Sequence, residues 1–137
     1  MNKILWGVCL LFLAALATSC GSKVENNPEK IAATVIKHLQ AEEFENMKDY
    51  CSDEGSMYVD GFASTFKGTP LEKGLQQVGK TIFKLVKAKY VEPGAVDMYE
   101  NKANVKYRFK YDDNDSWRAL VMKFEKVDGK WKIVEFK

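Results

Sequence analysis

The sequence is poor in histidine and cysteine, two residue types that are common in metal sites and catalytic centres. Its 137 residues include one histidine, His38, and three cysteines. Cys9 and Cys20 belong to an apolar N-terminal segment and Cys51 stands alone, so no intrachain disulfide framework is expected. The sequence also lacks a phosphate-binding loop, a zinc-ligand cluster and a nucleophile triad. We therefore predict no cofactor, no metal site and no catalytic residue.

The chain also lacks a strong excess of positive or negative charge. The formal net charge is +2, and the lysines are spread along the chain rather than massed in a run. This distribution gives little support to nucleic-acid binding. The apolar fraction of 46% and the charged fraction of 29% are typical of a folded domain, and the length corresponds to one domain with a real core.

The N-terminal segment has the order of a secretory signal. A short basic start at residues 1–3 is followed by an uncharged apolar run at residues 4–16 and by mainly small residues up to Cys20. A helix that crosses a bilayer needs about 20 apolar residues, so this run is too short to span comfortably. An ordinary secretory signal cut near Ala17 or Ser19 and an uncleaved anchor are two interpretations of this pattern.

A third interpretation follows from a resemblance. The segment resembles a bacterial lipoprotein signal peptide, in which the cysteine is diacylated and becomes the new N-terminus, although Ala17 stands where Leu is usual. The resemblance implies a signal peptide at residues 1–19, lipidation of Cys20 and a polar tether that ends at residue 27. It also implies attachment to a bacterial membrane in the cell envelope. The absence of acidic residues directly after Cys20 favours the periplasmic side of the outer membrane.

The first half of the remaining chain has helical patterns. Residues 27–28 begin a helix that is expected to run to about Gln40, and residues 42–43 begin a short second helix. A capping-box pattern at residues 69–72 starts another helix. Residues 52–68 are punctuated by glycines, and a short helix or turn packed under a sheet is expected there.

The last forty residues predict an antiparallel meander of about four strands. Residues 103–111 alternate strictly between apolar and polar side chains. Residues 93–94, Pro-Gly, predict a bulge or kink in the preceding strand, and residues 128–129, Asp-Gly, predict a tight hairpin turn. Helices followed by strands predict an α+β fold with N-terminal helices packed on a curved antiparallel sheet.

The helix from Pro28, residues 41–44, the capped helix from Thr69 and the closing hairpin at residues 127–133 resemble the nuclear transport factor 2-like superfamily. The resemblance covers about residues 28–137. It implies a cone in which the sheet wraps a long helix and leaves an opening at one end, with a homodimer through the outer sheet face. The superfamily includes isomerases, cyclases, dehydratases and non-catalytic binding modules, so the fold alone does not decide the activity.

Aromatic and polar residues of the predicted sheet are candidates for lining a pocket in the cone. Apolar walls with tyrosine hydroxyls are typical of ligand sites, but the same side chains could form core against the helices. The candidates are Tyr107, Tyr111, Met122, Trp131 and Glu135.

The register of the last strand decides the position of Glu135. If Trp131 and Ile133 face the cone, Glu135 enters the pocket and desolvation raises its pKa. If Val134 and Phe136 face the cone instead, Glu135 lies in water.

Two further sets of residues have simpler interpretations. His38 is expected at the surface or boundary of the first helix, and residues 112–115 are expected to form a solvated loop rather than a cation site. The sequence as a whole predicts a non-catalytic lipoprotein that binds a small ligand or a protein. A small enzyme of the isomerase or dehydratase kind, which uses a carboxylate or tyrosine in the cone, is the alternative.

Overall fold

The structure, a computed structural model of the chain, describes residues 24–68 and 73–137. Within these residues a helical layer precedes a four-stranded antiparallel sheet in the order β1-β2-β3-β4, which confirms the predicted α+β architecture. Residues 1–19, Cys20 and the capping box at residues 69–72 lie outside the described residues. The elements are α1 (Pro28–Gln40), α2 (Phe44–Met47), a 3₁₀ turn (Lys48–Tyr50), α3 (Asp53–Phe66), α4 (Lys73–Val86), β1 (Tyr90–Met98), β2 (Lys102–Lys110), β3 (Arg118–Val127) and β4 (Lys130–Phe136).

Helix α1 has the bounds that its sequence predicts. The side chain of Asn27 accepts a hydrogen bond from the Lys30 amide at 3.3 Å, and Pro28 occupies the first helical position. Proline suits that position because its missing N–H would have no partner inside the helix. The buried face of α1 packs against the core, and it consists of Ile31, Ala32, Val35, Ile36 and Leu39.

Helix α3 is longer than predicted. Residues 53–66 form fourteen residues of continuous helix, and the hydroxyl of Ser52 caps its start by accepting from the Gly55 amide at 3.2 Å. Gly55 does not break the helix. A Cβ built on Gly55 would lie 2.0 Å from the carbonyl oxygen of Ile133, so this glycine permits α3 to approach β4 closely.

The sheet confirms three local predictions. The apolar face of β2 is buried, and it comprises Ala103, Val105, Tyr107 and Phe109. The pairing of β1 with β2 shifts between Pro93 and Val96, which is the bulge predicted at residues 93–94. Asp128 and Gly129 both have positive φ, 52° and 77°, as a tight hairpin turn of this class requires.

Strand β4 follows neither of the two registers that the sequence suggested. Lys123 pairs with Glu135 and Phe124 pairs with Ile133, so Val134 is an extra residue in the ladder. Trp131 and Ile133 are therefore buried, and after the bulge Phe136 is buried as well. Glu135 lies beside Lys123 at 4.0 Å on the other face, with more than a third of its side chain exposed.

The outer edge of β4 is closed by two segments of the chain. The Ser52 amide donates to the Ile133 carbonyl at 2.9 Å, and the Trp131 amide donates to Oδ1 of Asn26 at 2.9 Å. Nδ2 of Asn26 donates to the Gly129 carbonyl at 3.0 Å. Unpaired edge strands promote aggregation, and these contacts occupy groups that would otherwise be free.

Replacing Gly55 with Ala tests the contact of α3 with β4. We expect a loss of about 2–3 kcal/mol in the free energy of unfolding, because the new methyl group forces α3 away from the Ile133 carbonyl. Urea titration followed by circular dichroism measures the change.

Gly74→Ala is the matched control. Gly74 also lies in a helix, but nothing stands within 4 Å of its Cβ position. Alanine there should leave stability unchanged or raise it by up to about 1 kcal/mol. Equal effects of the two substitutions would contradict the close approach at Gly55.

Candidate functional site

The space between the helices and the inner sheet face is filled by apolar side chains. Within residues 24–68 and 73–137 the buried side chains are aliphatic, aromatic or sulfur-containing, and none is charged. Phe62 contacts Phe136 edge-to-face with ring centroids 5.2 Å apart, and both side chains are fully buried. Met122 and Trp131, two of the candidate pocket residues, belong to this core.

The five candidate residues do not converge on one site. Tyr111 lies beyond the end of β2 and is 51% exposed. Glu135 lies on the outer face of the sheet, where it borders a polar groove of about 320 Å³ together with Lys123. Tyr107 lines a more apolar open space between a helix and the sheet.

That space is a cleft of about 280 Å³ between α1 and the β1–β2 pair. The bulge in β1 shapes its floor, since a Cβ at Gly94 would approach the Lys106 carbonyl oxygen to 3.1 Å. The cleft has an apolar base and a charged rim. Its lining residues are Glu29, Lys30, Ala33, Pro93, Gly94, Val96, Val105 and Tyr107.

Tyr107 provides the polar group at the base of the cleft. Its side chain is largely buried, and its hydroxyl has no hydrogen-bond partner among the described residues. Among the described residues, no side-chain nitrogen or oxygen atom is both fully buried and without a hydrogen-bond partner. The Tyr107 hydroxyl is therefore accessible from the cleft that this residue lines. Burial, and secondarily the charge of Glu29, raises the pKa of Tyr107. The hydroxyl is therefore protonated at neutral pH and can donate a hydrogen bond.

The residues that sequence reasoning missed here are on α1. Glu29, in the first turn of the helix, and Ala33 both line the cleft, although the sequence pattern indicates neither of them as a site residue. The Pro-Gly pair at residues 93–94 was the available signal, because a bulge in a strand re-aims neighbouring side chains. The helix that covers the bulge is determined by tertiary packing.

His38 lies at the boundary of α1, away from the cleft. Its Nδ1 is 3.2 Å from Oε1 of Glu43, and its ring stacks on Tyr50 with centroids 6.3 Å apart. Glu42 has a positive φ of 58°, and this turn brings Glu43 back towards the helix end. A side-chain contact this exposed contributes little to stability.

The three aspartates of residues 112–115 use their oxygens in hydrogen bonds within the loop or to the first residue of β1. Oδ1 of Asp112 accepts from the Asn114 amide at 2.9 Å, and Oδ2 of Asp115 accepts from the Tyr111 amide at 3.2 Å. The hydroxyl of Tyr90 donates to Asp113, and this bond lowers the pKa of Asp113. Over the described part of the chain no group of three or more potential ligands could hold a metal ion.

Cys51 is a buried residue of the helix–sheet junction. Its thiol donates to the Met47 carbonyl at 3.3 Å, and burial raises the pKa of Cys51 to about 12. The thiolate is the reactive form of cysteine, so this side chain is inert at neutral pH.

An exposed aromatic and basic surface lies on the outer face of the sheet. The guanidinium of Arg108 stands 4.0 Å from the ring centroid of Trp117, and the Lys110 ammonium is 5.3 Å from the same centroid. Tyr90 is 6.5 Å from Trp117, ring to ring. The side chains of Tyr90 and Trp117 are each more than a third exposed.

Comparison with known proteins identifies the fold. No protein-family model and no curated protein matches the sequence. A candidate NTF2-like transpeptidase from Campylobacter jejuni superposes with a TM-score of 0.46 at 15% identity, over 78% of this chain and 96% of that chain. A protein described as Rd1NTF2_05, with five substitutions, gives a TM-score of 0.50 at 16% identity, over 82% of this chain and 96% of that chain.

The chain thus has a nuclear transport factor 2-like (NTF2-like) fold, an α+β scaffold with an open antiparallel sheet. Both binding proteins and enzymes use this scaffold, so the fold leaves the activity to be argued from the site. Among the helices that the structure describes, none has the length and apolar character needed to cross a bilayer.

Proposed function

We propose that the protein is a membrane-anchored lipoprotein of the bacterial cell envelope, and that its NTF2-like domain is a non-catalytic module that binds a small ligand. The cleft at Tyr107 carries the binding part of the proposal. Its tyrosine ring is buried and its hydroxyl is accessible, which is the arrangement of an apolar site with one polar handle.

The chemistry of the lining residues defines the class of ligand. The volume of about 280 Å³ suits a small molecule. The Tyr107 hydroxyl would donate to an acceptor atom, and the Glu29 carboxylate would accept from a donor or attract a cation. Lys30 is paired with Glu25, so its charge is partly satisfied. We infer a neutral or weakly cationic molecule with an apolar body.

The sequence of the leader supports the anchor. Its basic, apolar and small-residue order ends at Cys20, and acyl chains on a cysteine hold a domain at a membrane at about 0.8 kcal/mol per buried CH₂. The periplasmic side of the outer membrane is the proposed location, because no acidic run follows Cys20.

One observation supports the enzymatic alternative. Glu29 and Tyr107 line the same cleft, and a carboxylate with a tyrosine could move protons in an isomerase or dehydratase. Glu29 is exposed to water, however, and lacks the desolvation that prepares catalytic carboxylates. This exposure favours binding without turnover.

Ala33→Trp tests the cleft. The indole would occupy the space between α1 and the β1 bulge, so a ligand held there should be lost. Protein is purified from the envelope, and mass spectrometry of solvent extracts measures the small molecules that co-purify. We expect a molecule enriched with the wild type to fall about tenfold or more in the variant.

Lys37→Trp provides the control, since Lys37 lies one turn further along α1 and is exposed. It should retain the ligand. Identical extracts from the wild type and Ala33→Trp would contradict binding in the cleft. Chemical conversion of the co-purified molecule by the wild-type protein, lost in Tyr107→Phe, would favour the enzyme.

Cys20→Ala tests the anchor. The wild type should carry acyl chains, visible as added mass on the N-terminal peptide, and should sediment with membranes. The variant should lose the acyl mass and appear in the soluble fraction. Membrane association that is unchanged in the variant, with no acyl mass on the wild type, would exclude a lipoprotein.

A further inference from the structure

The chain enters the domain at one defined end of the sheet. Asn26 bonds to the Gly129 carbonyl at 3.0 Å and to the Trp131 amide at 2.9 Å, which places it at the β3–β4 turn. Val24 packs against the hydrophobic core. The residues that directly precede α1 are therefore attached to the fold rather than free of it.

This attachment leaves a short connection to Cys20. Four residue steps separate Cys20 from Val24. A fully extended chain covers at most about 3.6 Å per residue, so the connection spans no more than about 14 Å. A lipid-modified Cys20 lies in the membrane interface, so Val24 must lie within about 14 Å of it. The β3–β4 turn is bonded to Asn26, six steps from Cys20, and must lie within about 22 Å of the lipid-modified residue.

The same end of the sheet exposes apolar side chains. The β1–β2 turn is adjacent to the end of β3, since the Lys126 amide donates to the Asn101 carbonyl at 3.0 Å. Met98 is 54% exposed, Tyr99 is 62% exposed and Val127 is 43% exposed. We call this surface, which comprises the β1–β2 and β3–β4 turns with Met98, Tyr99 and Val127, the two-turn end.

Lysines flank the two-turn end, and acids nearly balance them. Lys102 and Lys130 are exposed, and Lys102 stands 3.8 Å from Glu125. Glu100 and Asp128 lie in the two turns. The net charge of the two-turn end is therefore small, and its exposed apolar side chains distinguish this surface. Tyrosine and lysine around apolar tips are typical of groups at a membrane interface.

We propose that the two-turn end rests on the lipid bilayer, with Met98, Tyr99 and Val127 in the interfacial layer. The proposal rests on lipidation of Cys20, which is part of the proposed function. It fixes the orientation of the domain. Strand β3 is ten residues long, so Trp117, which precedes its other end, lies up to about 33 Å farther from the bilayer than Val127.

Depth-dependent quenching in the full, acylated chain tests the orientation. Tyr99→Cys and Tyr111→Cys are labelled with a nitrobenzoxadiazole dye and reconstituted in vesicles of phosphatidylethanolamine and phosphatidylglycerol. Part of the lipid carries a nitroxide near the headgroup. Both tyrosines are exposed in the wild type, at opposite ends of the sheet. Cys51 is buried and should take little label, which the labelled wild type verifies.

We expect quenching of the Tyr99→Cys label to exceed that of the Tyr111→Cys label by about threefold or more, because interfacial groups lie within about 5–10 Å of the acyl boundary. The ratio should persist at high salt, since the charges nearly balance.

The acyl mass of each sample distinguishes a failure of the lipid anchor from a failure of the proposed orientation. Acylated protein with equal quenching at both positions, or with stronger quenching at Tyr111→Cys, would overturn the orientation and leave the anchor standing. Protein without acyl mass would overturn the anchor and the orientation together.

Discussion

The structure depends on one backbone carbonyl, that of Ile133 in β4. It accepts from the Ser52 amide at 2.9 Å and from the Ser52 hydroxyl at 3.3 Å, while Gly55 leaves the space for α3 to pass. This contact attaches the helical layer to the free edge of the sheet. Cys51 and Met47 are buried behind it, and the carbonyl would otherwise be an open acceptor on an edge strand.

The bulge at Val134 follows from the same arrangement. It allows Ile133 and Phe136 both to be buried, although strict alternation would put them on opposite faces. Phe136 then meets Phe62 of α3. The inward side chains of the last strand thus belong to the core, and the cleft lies at the opposite edge of the sheet, between α1 and the β1–β2 pair.

The sequence predicts those features that local chemistry determines. The cap at Asn27, the turn at residues 128–129 and the alternation of β2 each depend on residues close together in the chain. The length of α3 could not be predicted from the sequence, because glycine usually weakens a helix. Gly55 instead allows α3 to contact β4 closely. The position of Glu135 depends on the bulge that allows Ile133 and Phe136 both to be buried, and period-two alternation alone cannot show it.

The residues of the candidate site were likewise only partly predictable from the sequence. Tyr107 could be chosen from its strand face, because one face of β2 had to meet the helices. Its neighbour Glu29 is remote in sequence, and a position in the first turn of a helix does not by itself indicate a cleft. Met122 and Trp131 share the strand-face pattern of a pocket wall and turn out to be core, since the same apolar pattern serves both uses.

The attachment of the residues before α1 to the sheet closes the outer edge of β4 and fixes where the chain enters the domain. Hydrogen exchange of the Trp131 amide tests it most directly. Bonded to Asn26, this amide should exchange as slowly as the β3–β4 ladder amides, and Asn26→Ala should accelerate it about fivefold or more. Exchange at the rate of an exposed amide in the wild type would contradict the attachment.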